Sequence, residues 1–151
     1  MALSINPRVE NIELSGIRKI SNLLVNYPDA MNLTVGQPDF PTPALVKKAG
    51  LQAIIDNKTG YTHNAGLLEL RQAASAFFTK KYGFTYDPQT EVIITAGASG
   101  GMDAVFRTIL KEGDEIIVPA PIFAGYVPLI TLTGAKVVYL DTTDTGFRPS
   151  P

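Results

Sequence analysis

The spacing of apolar residues predicts helices in the first part of the chain. After Ser15, a residue type common at helix N-caps, apolar side chains recur at helical spacing and predict a helix of about three turns that ends at Tyr27. Met31–Val35 is a short strand candidate. Residues 36–43 contain three prolines and one glycine, so this segment is largely extended and rigid and marks a boundary.

Two further helices follow this boundary. Thr42 is expected to cap the first of them, with Pro43 at its first helical position, and the helix then covers residues 44–55. The second helix stops at Gly83, a residue type typical of helix C-termini. Its apolar stripe predicts an amphipathic helix. The stripe consists of Leu67, Leu70, Ala74, Phe77, Phe78 and Tyr82.

Strands and helices alternate in the second half of the chain. The predicted strands are Glu91–Thr95, Glu115–Val118 and Lys136–Leu140, and helices over 102–110 and 123–132 connect them. This alternation predicts right-handed crossovers and a parallel sheet covered on both faces, which is an α/β fold. Because a mean sheet has roughly five or six strands, the short sheet indicates the front portion of a longer protein.

Composition and charge exclude several classes of partner. The 151 residues, 45% hydrophobic and 18% charged, suffice for one globular domain. A net charge of -1 offers no positive field for nucleic acid or an anionic membrane. The absence of cysteine excludes disulfides, a thiolate nucleophile and a cysteine-ligated metal, and it fits a cytoplasmic protein. Residues 1–11 lack the pattern of an export signal, and no apolar stretch of about 18 residues predicts a membrane span.

The turn after the first predicted strand has the chemistry of a phosphate site. Gly97, Ala98 and Ser99 are small, so an anion can approach the backbone N–H groups of a helix start, and Ser99 adds a hydroxyl donor. A tight turn that needs small residues explains the same pattern. No Lys-Ser or Lys-Thr pair follows the glycines, which disfavours a nucleoside triphosphate loop. The glycines do not match G-x-G-x-x-G, and no acidic residue follows the next strand to bind a ribose hydroxyl, which disfavours a dinucleotide site. A small phosphorylated cofactor therefore fits better than a nucleoside triphosphate or a dinucleotide.

Aromatic and imidazole side chains supply the other candidates. Phe123 follows the carboxyl end of a predicted strand, where ligands of parallel sheets gather, so its ring would face the same crevice and stack on a flat ligand ring. Ordinary packing of a helix on the sheet is the alternative for Phe123. Tyr61 offers a phenolic donor for an anion. His63 has no nearby carboxylate, so we assign it no catalytic or metal-binding role.

Four motifs occur in the order that characterises one enzyme family. They are Gly36-Gln37-Pro38-Asp39-Phe40, Tyr61-Thr62 with Gly66 and Leu70-Arg71, Thr95-Ala96-Gly97-Ala98-Ser99, and Pro119-Ala120-Pro121-Ile122-Phe123. Together with the segment 15–19 they span nearly the whole chain, which resembles the class I/II pyridoxal-phosphate aminotransferases of fold type I. The likeness extends to bacterial aminotransferases of N-acetyl-diaminopimelate or of aromatic amino acids.

The resemblance implies a site for pyridoxal 5'-phosphate. Gly97, Ala98 and Ser99 would hold the cofactor phosphate, and Phe123 would stack on the pyridine ring. Tyr61 would reach across the interface of a homodimer to the phosphate in the neighbouring subunit. The family's site is therefore built from two chains.

The resemblance also implies the substrates and the division of the chain. The substrates would be an amino acid and a 2-oxo acid, with Gly36 contributing backbone beside the substrate carboxylate and Ile17 lining the substrate pocket. Residues 1–40 would form an N-terminal arm and the start of a small domain. Residues 41–151 would form the first part of the large cofactor-binding domain, with part of its parallel sheet.

The family's catalytic residues find no match in residues 1–151. The Schiff-base lysine and its asparagine, aspartate, tyrosine and arginine partners lie downstream of this region in the family. Transamination needs a lysine amine that bonds to the cofactor, so we expect this part of the protein alone to be inactive. Two alternatives stay open: a dinucleotide-binding oxidoreductase domain, which shares the alternating pattern, and a non-catalytic α/β binding domain.

Overall fold

The computed structural model describes residues 4–10, 12–13, 15–34, 36 and 38–150. The chain packs as two units, one formed by Met1–Val35 and Ala96–Pro151 and the other by Gly36–Thr95. The expected boundary between an arm and a large domain at residue 40 stays a prediction. Some predictions fall on residues outside the described ranges. These are residues 1–3 and 11 of the segment that lacks an export signal, Val35 of the strand candidate and Gln37 of the first motif.

Helices predominate among the described residues. The α-helices are α1 (Pro7–Glu10), α2 (Gly16–Leu23), α3 (Ala44–Ile55), α4 (Leu68–Tyr82), α5 (Gly97–Ile109) and α6 (Tyr126–Thr133). The strands are β1 (Glu115–Ala120) and β2 (Lys136–Asp141), and two short 3-10 helices cover Leu24–Asn26 and Thr143–Thr145. These elements confirm the predicted mixture of helix and strand in the second half.

The first unit is a parallel α/β layer. β1 and β2 pair in parallel, in a register that runs from Glu115 opposite Lys136 to Ala120 opposite Asp141. The strands are joined through α6, as predicted. The two strands and the helices α5 and α6 share one small core, in which four side chains are buried. These are Phe106, Val118, Ile130 and Ala135.

Two predicted strands are wrong. Residues 31–34, the described part of the Met31–Val35 candidate, form no strand, and Glu91–Thr95 is also not a strand. A strand needs a neighbouring strand for its backbone ladder, whereas Ile94 N donates to the carbonyl of Ala65, in a loop, at 2.9 Å. Among the described residues the sheet therefore has two strands rather than three.

Several helix starts differ from the prediction. Ser15 caps α2 as expected, because its Oγ accepts a hydrogen bond from Arg18 N at 3.3 Å. Thr42 is not the cap of α3. Pro43 occupies that position without a side-chain hydrogen bond, and its extended ψ of 143° delays the helix to Ala44.

The two helices of the first unit also begin elsewhere than predicted. α5 begins at Gly97 rather than at residue 102, so the small residues form its first turn. α6 begins at Tyr126 rather than at Phe123. Pro128 explains this shift, because proline fits the first turn of a helix but lacks the N–H that an interior position needs.

The second unit is built around α4. This helix ends at Gly83, which adopts the left-handed backbone (φ 76°) and confirms the predicted stop. The two buried side chains of α4 are Arg71 and Ser75, and Ser75 Oγ donates to the carbonyl of Tyr86 at 2.5 Å. The large side chains of the predicted apolar stripe stay exposed. Hydrogen bonds to the segment 86–89 therefore fix the buried face of α4.

Candidate active site

The first turn of α5 has the features of an anion site. Gly97, Ala98 and Ser99 are exposed, and the first turn contains no acidic residue. The N-cap residue of α5 is Ala96, which makes no side-chain cap hydrogen bond. The N-terminal end of a helix carries partial positive charge and backbone N–H donors. These features fit the predicted phosphate site, and the role of Gly97, Ala98 and Ser99 stays a prediction.

Phe123 lies in the turn between β1 and α6, and its ring is at the surface. It is 59% exposed, whereas its neighbours Ile122 and Tyr126 pack against the core of the unit. The rings of Phe123 and Tyr126 meet edge to face, with centroids 5.5 Å apart and planes at 78°. Ordinary core packing therefore does not account for Phe123, and more than half of its surface is exposed to solvent.

The fold brings the α5 turn and Phe123 to the same end of the first unit. α5 runs into β1 through the short connection 110–114, and Met102 and Phe106 of α5 pack in the core that contains Val118 of β1. A helix that packs on the strand it leads into runs antiparallel to that strand, so its first turn lies beyond the strand's carboxyl end. Ligands of parallel sheets bind at this end.

Tyr61 and Gly36 belong to the second unit. The Tyr61 side chain is fully exposed, and Gly36 is exposed with open space around its Cα. The loop after Tyr61 is shaped by His63, because Ala65 N donates to His63 Nδ1 at 3.1 Å and Gly66 N donates to the carbonyl of His63 at 2.8 Å. His63 therefore has a local structural role that the sequence analysis did not assign.

Ile17 lies in α2, in the first unit, with about half of its side chain exposed. The segment before α2 is held by an ion pair between Lys19 Nζ and Glu13 Oε2 at 2.6 Å. The hydrogen bond and the charge of Lys19 lower the pKa of Glu13 below its ordinary value of 4.5. Ile17 is thus available to line a pocket, but its role stays a prediction.

Sequence reasoning missed the importance of Arg71. Its guanidinium is buried and donates to three carbonyl oxygens: Gly66 at 3.2 Å, Pro88 at 2.7 Å and Gln89 at 3.2 Å. The Leu70-Arg71 pair of the family motif was the available signal. Gly66 itself has φ 94°, and a Cβ there would lie 2.7 Å from Ile94 Cβ. Arg71 and Gly66 together hold the loop that presents Tyr61.

The lysines are all solvent-exposed. They are Lys19, Lys47, Lys48, Lys58, Lys80, Lys81, Lys111 and Lys136. Several have surface partners, for example Lys111 with Asp114 at 3.3 Å and Lys136 with Glu115 at 3.4 Å. An amine that acts as a nucleophile is usually activated by desolvation or by a neighbouring cation. No lysine of the chain is in such a buried setting.

Two further features are absent from the part of the chain that the structure describes. Within the described ranges, His, Asp and Glu side chains form no cluster of three or more that could hold a metal ion. The described part of the chain contains no helix that is both long and apolar enough to cross a membrane.

The family of the chain follows from comparison with known proteins. Residues 28–148 match the family model for aminotransferase class I and II, and the chain belongs to this family. The resemblance carried by the four motifs is therefore confirmed. The match also decides against the dinucleotide-binding alternative.

Individual relatives show which aminotransferases the chain is similar to. It is 56% identical over 144 residues to a probable N-acetyl-LL-diaminopimelate aminotransferase of Bacillus subtilis, covering 95% of this chain and 37% of the relative. It is 34% identical to aromatic-amino-acid aminotransferase 2 of Thermococcus litoralis, covering 93% of this chain and 36% of that protein. The chain thus spans little more than a third of the length of these relatives.

A solved structure supports the fold class. The aspartate aminotransferase of Thermus thermophilus, crystallised with maleate, superposes with a TM-score of 0.92 at 32% identity over 99% of this chain and 40% of that one. The predicted α/β class, with part of the parallel sheet of a fold type I enzyme, is confirmed by this likeness.

Proposed function

We propose that the complete gene product containing residues 1–151 is a pyridoxal-phosphate-dependent aminotransferase that moves an amino group between an amino acid and a 2-oxo acid. The observation that carries the proposal is the pairing of two features in the first unit. The exposed first turn of α5 consists of small residues and contains no acidic residue, and the exposed ring of Phe123 follows β1, at the same end of the layer. Membership of the aminotransferase family supports this interpretation.

The residues present fit the cofactor. Ala98 and Ser99 contribute backbone N–H groups at a helix start, Ser99 adds a hydroxyl, and Gly97 leaves room for phosphate oxygens beside the backbone. Phe123 offers a flat face for the pyridine ring. When bound, pyridoxal phosphate supplies an electron sink for carbanion chemistry, while the protein supplies binding, orientation and electrostatics.

Residues 1–151 hold and orient the cofactor in this proposal, but they do not transfer the amino group. All eight lysines are exposed and lack the desolvated setting of a nucleophilic amine. The relatives extend well beyond the matched region. We therefore assign the covalent and proton-transfer steps to residues outside 1–151.

The substrate contacts and the assembly are part of the same proposal. Gly36 and Ile17 contact the substrate, and Tyr61 donates to the phosphate held by the neighbouring subunit of a homodimer. The full exposure of the Tyr61 side chain supports a contact with a neighbouring subunit. An amino acid and a 2-oxo acid are the proposed substrates, in a cytoplasmic protein.

A charge placed beside the phosphate tests the proposal. Ser99→Asp adds a carboxylate to the first turn of α5, and Ala104→Asp adds the same charge at an exposed position further along the same helix. We expect Ser99→Asp to weaken binding of pyridoxal phosphate to the complete gene product by about tenfold or more, because two anions would meet at short range. Ala104→Asp should change the affinity much less. The measurement is an absorbance titration of the apo-protein.

Pyridoxal without phosphate provides the control ligand. It lacks the anion, so Ser99→Asp should leave its affinity close to that of the wild type. An equal loss for both ligands would contradict phosphate binding at this turn. Absence of pyridoxal phosphate binding by the wild type would overturn the proposed function. Binding of NAD alone would revive the dinucleotide alternative, and binding of neither would favour a non-catalytic domain.

A further inference from the structure

The backbone conformation at residue 125 does not require glycine. Gly125 precedes α6 with φ -70° and ψ -17°, which is the right-handed helical region that any L-residue adopts. Gly125 is the N-cap residue of α6, a position where glycine is favoured over alanine, but these dihedral angles do not require it. The space around its Cα gives a second and stronger reason for glycine.

That space is filled by the ring of Phe123. A Cβ built on Gly125 would contact Cε1 of the ring and would lie 2.9 Å from its Cζ and 3.2 Å from its Cδ1. Real Cβ atoms essentially never approach another heavy atom closer than 3.0 Å, so the contacts with Cε1 and Cζ exclude a side chain at residue 125 unless the ring moves. The side of the ring formed by Cδ1, Cε1 and Cζ therefore lies directly against Gly125, and the ring also makes its edge-to-face contact with Tyr126. At Gly50, by contrast, an added Cβ would lie in open space, with no packed neighbour within 4 Å.

We propose that Gly125 is a positioning residue for Phe123. The missing side chain lets the Phe123 ring lie on the chain and present its outer face to a planar, electron-poor ring, which is the pyridine ring of pyridoxal phosphate if the proposed function holds. Because Phe123 is a surface side chain, an added methyl group would turn the ring away rather than disrupt the core. The expected signature is a loss of cofactor affinity with little change in stability.

A double-mutant cycle tests this proposal in the complete gene product. Gly125→Ala should weaken pyridoxal phosphate binding about three- to tenfold, the size of a lost aromatic stack, and Phe123→Ala should weaken it at least as much. In the Phe123→Ala background, Gly125→Ala should cause no further loss, because the ring through which it acts is absent. Gly50→Ala, the matched control, should bind as the wild type does.

Thermal unfolding of the apo-protein separates positioning from a structural role. We expect Gly125→Ala to lower the Tm by only about one or two degrees, the cost of an alanine N-cap, and by the same amount in the Phe123→Ala background. A larger fall that depends on Phe123 would indicate that the contact supports the fold and would overturn the proposal. Additive losses of affinity in the cycle would overturn it as well.

The outcomes also distinguish this inference from the proposed function. A wild-type protein that binds no pyridoxal phosphate refutes the function and, with it, the inference. A wild-type protein that binds the cofactor, loses affinity with Phe123→Ala and keeps it with Gly125→Ala refutes the inference alone.

Discussion

The burial of Arg71 leads to a prediction about the loop that presents Tyr61. Arg71 is 6% exposed, and its guanidinium donates to the carbonyls of Gly66, Pro88 and Gln89. A hydrogen bond from a charged donor contributes about 1.5–3 kcal/mol. We count the 2.7 Å bond at about 2 kcal/mol and each 3.2 Å bond at somewhat under 1 kcal/mol, because longer hydrogen bonds are weaker. Arg71→Met should therefore lower the free energy of local unfolding of this region by about 3–4 kcal/mol.

Native-state hydrogen exchange measures this loss where it occurs. Ile94 N donates to the Ala65 carbonyl at 2.9 Å, and Glu91 N donates to the Asp87 carbonyl at 2.8 Å. Both hydrogen bonds belong to the segments that Arg71 connects. A loss of 3–4 kcal/mol corresponds to exchange of these amides about 100 to 1,000 times faster, because each 1.4 kcal/mol is a factor of about ten.

Arg107→Met is the matched control. Arg107 also lies on a helix, but its side chain is 53% exposed and pairs with Asp103 at 2.9 Å on the surface. Such pairs contribute about 0–1 kcal/mol, so exchange in the 83–95 segment should stay at the wild-type rate. If Arg71→Met leaves exchange at Ile94 and Glu91 as slow as Arg107→Met does, Arg71 does not hold this region together.

Three further predictions concern the stability of a Gly66 variant, the pKa of Asp87 and the activity of residues 1–151 alone. Gly66→Ala should lower the free energy of unfolding by about 2–4 kcal/mol in urea denaturation, because it combines a left-handed backbone with a close Cβ contact, whereas Gly60→Ala, in open space, should cost far less. The backbone N–H of Gln89 lowers the pKa of Asp87 below 3.8, so its contribution to stability is present above that pH and is lost as the pH falls through the lowered pKa. NMR titration of the Asp87 carboxyl should show this. Purified residues 1–151 should transfer amino groups no faster than free pyridoxal phosphate in a coupled 2-oxo acid assay.

Each of these predictions has a contrary result. Equal stability of the two alanine variants would mean that the Gly66 loop adapts at little cost. An ordinary pKa for Asp87 would mean that its turn does not persist in solution. Amino transfer by the purified residues 1–151 above the rate of the free cofactor would place a functional lysine among the exposed ones.

Local signals in the sequence predicted the range of α3 and the end of α4, but not the starts of α5 and α6. Regular apolar spacing placed α3, and Gly83 marked the end of α4 because glycine adopts the left-handed backbone without strain. The strand at Glu91–Thr95 was wrong because the apolar run favours a strand only when a partner strand lies beside it. Strand formation therefore depends on distant parts of a chain in a way that helix formation does not.

The candidate site was only partly predictable for the same reason. The small residues at Gly97 to Ser99 and the aromatic Phe123 follow predicted strands, so their chemistry could be inferred from position. Hydrophobic spacing does not identify Arg71, since a charged residue on a helix is normally exposed and its carbonyl partners lie in other segments; the Leu70-Arg71 pair of the family motif was the only sequence signal for it. The space over Gly125 depends on where one ring lies, which no spacing rule specifies.

A crystal structure of the complete gene product grown with pyridoxal phosphate tests the central claim most directly. The proposal predicts the phosphate within hydrogen-bond distance of the backbone N–H groups of Ala98 and Ser99 and of the Ser99 hydroxyl, with the pyridine ring stacked on Phe123. A phosphate bound at another helix or loop, or a ring that lies against a different side chain, would contradict it.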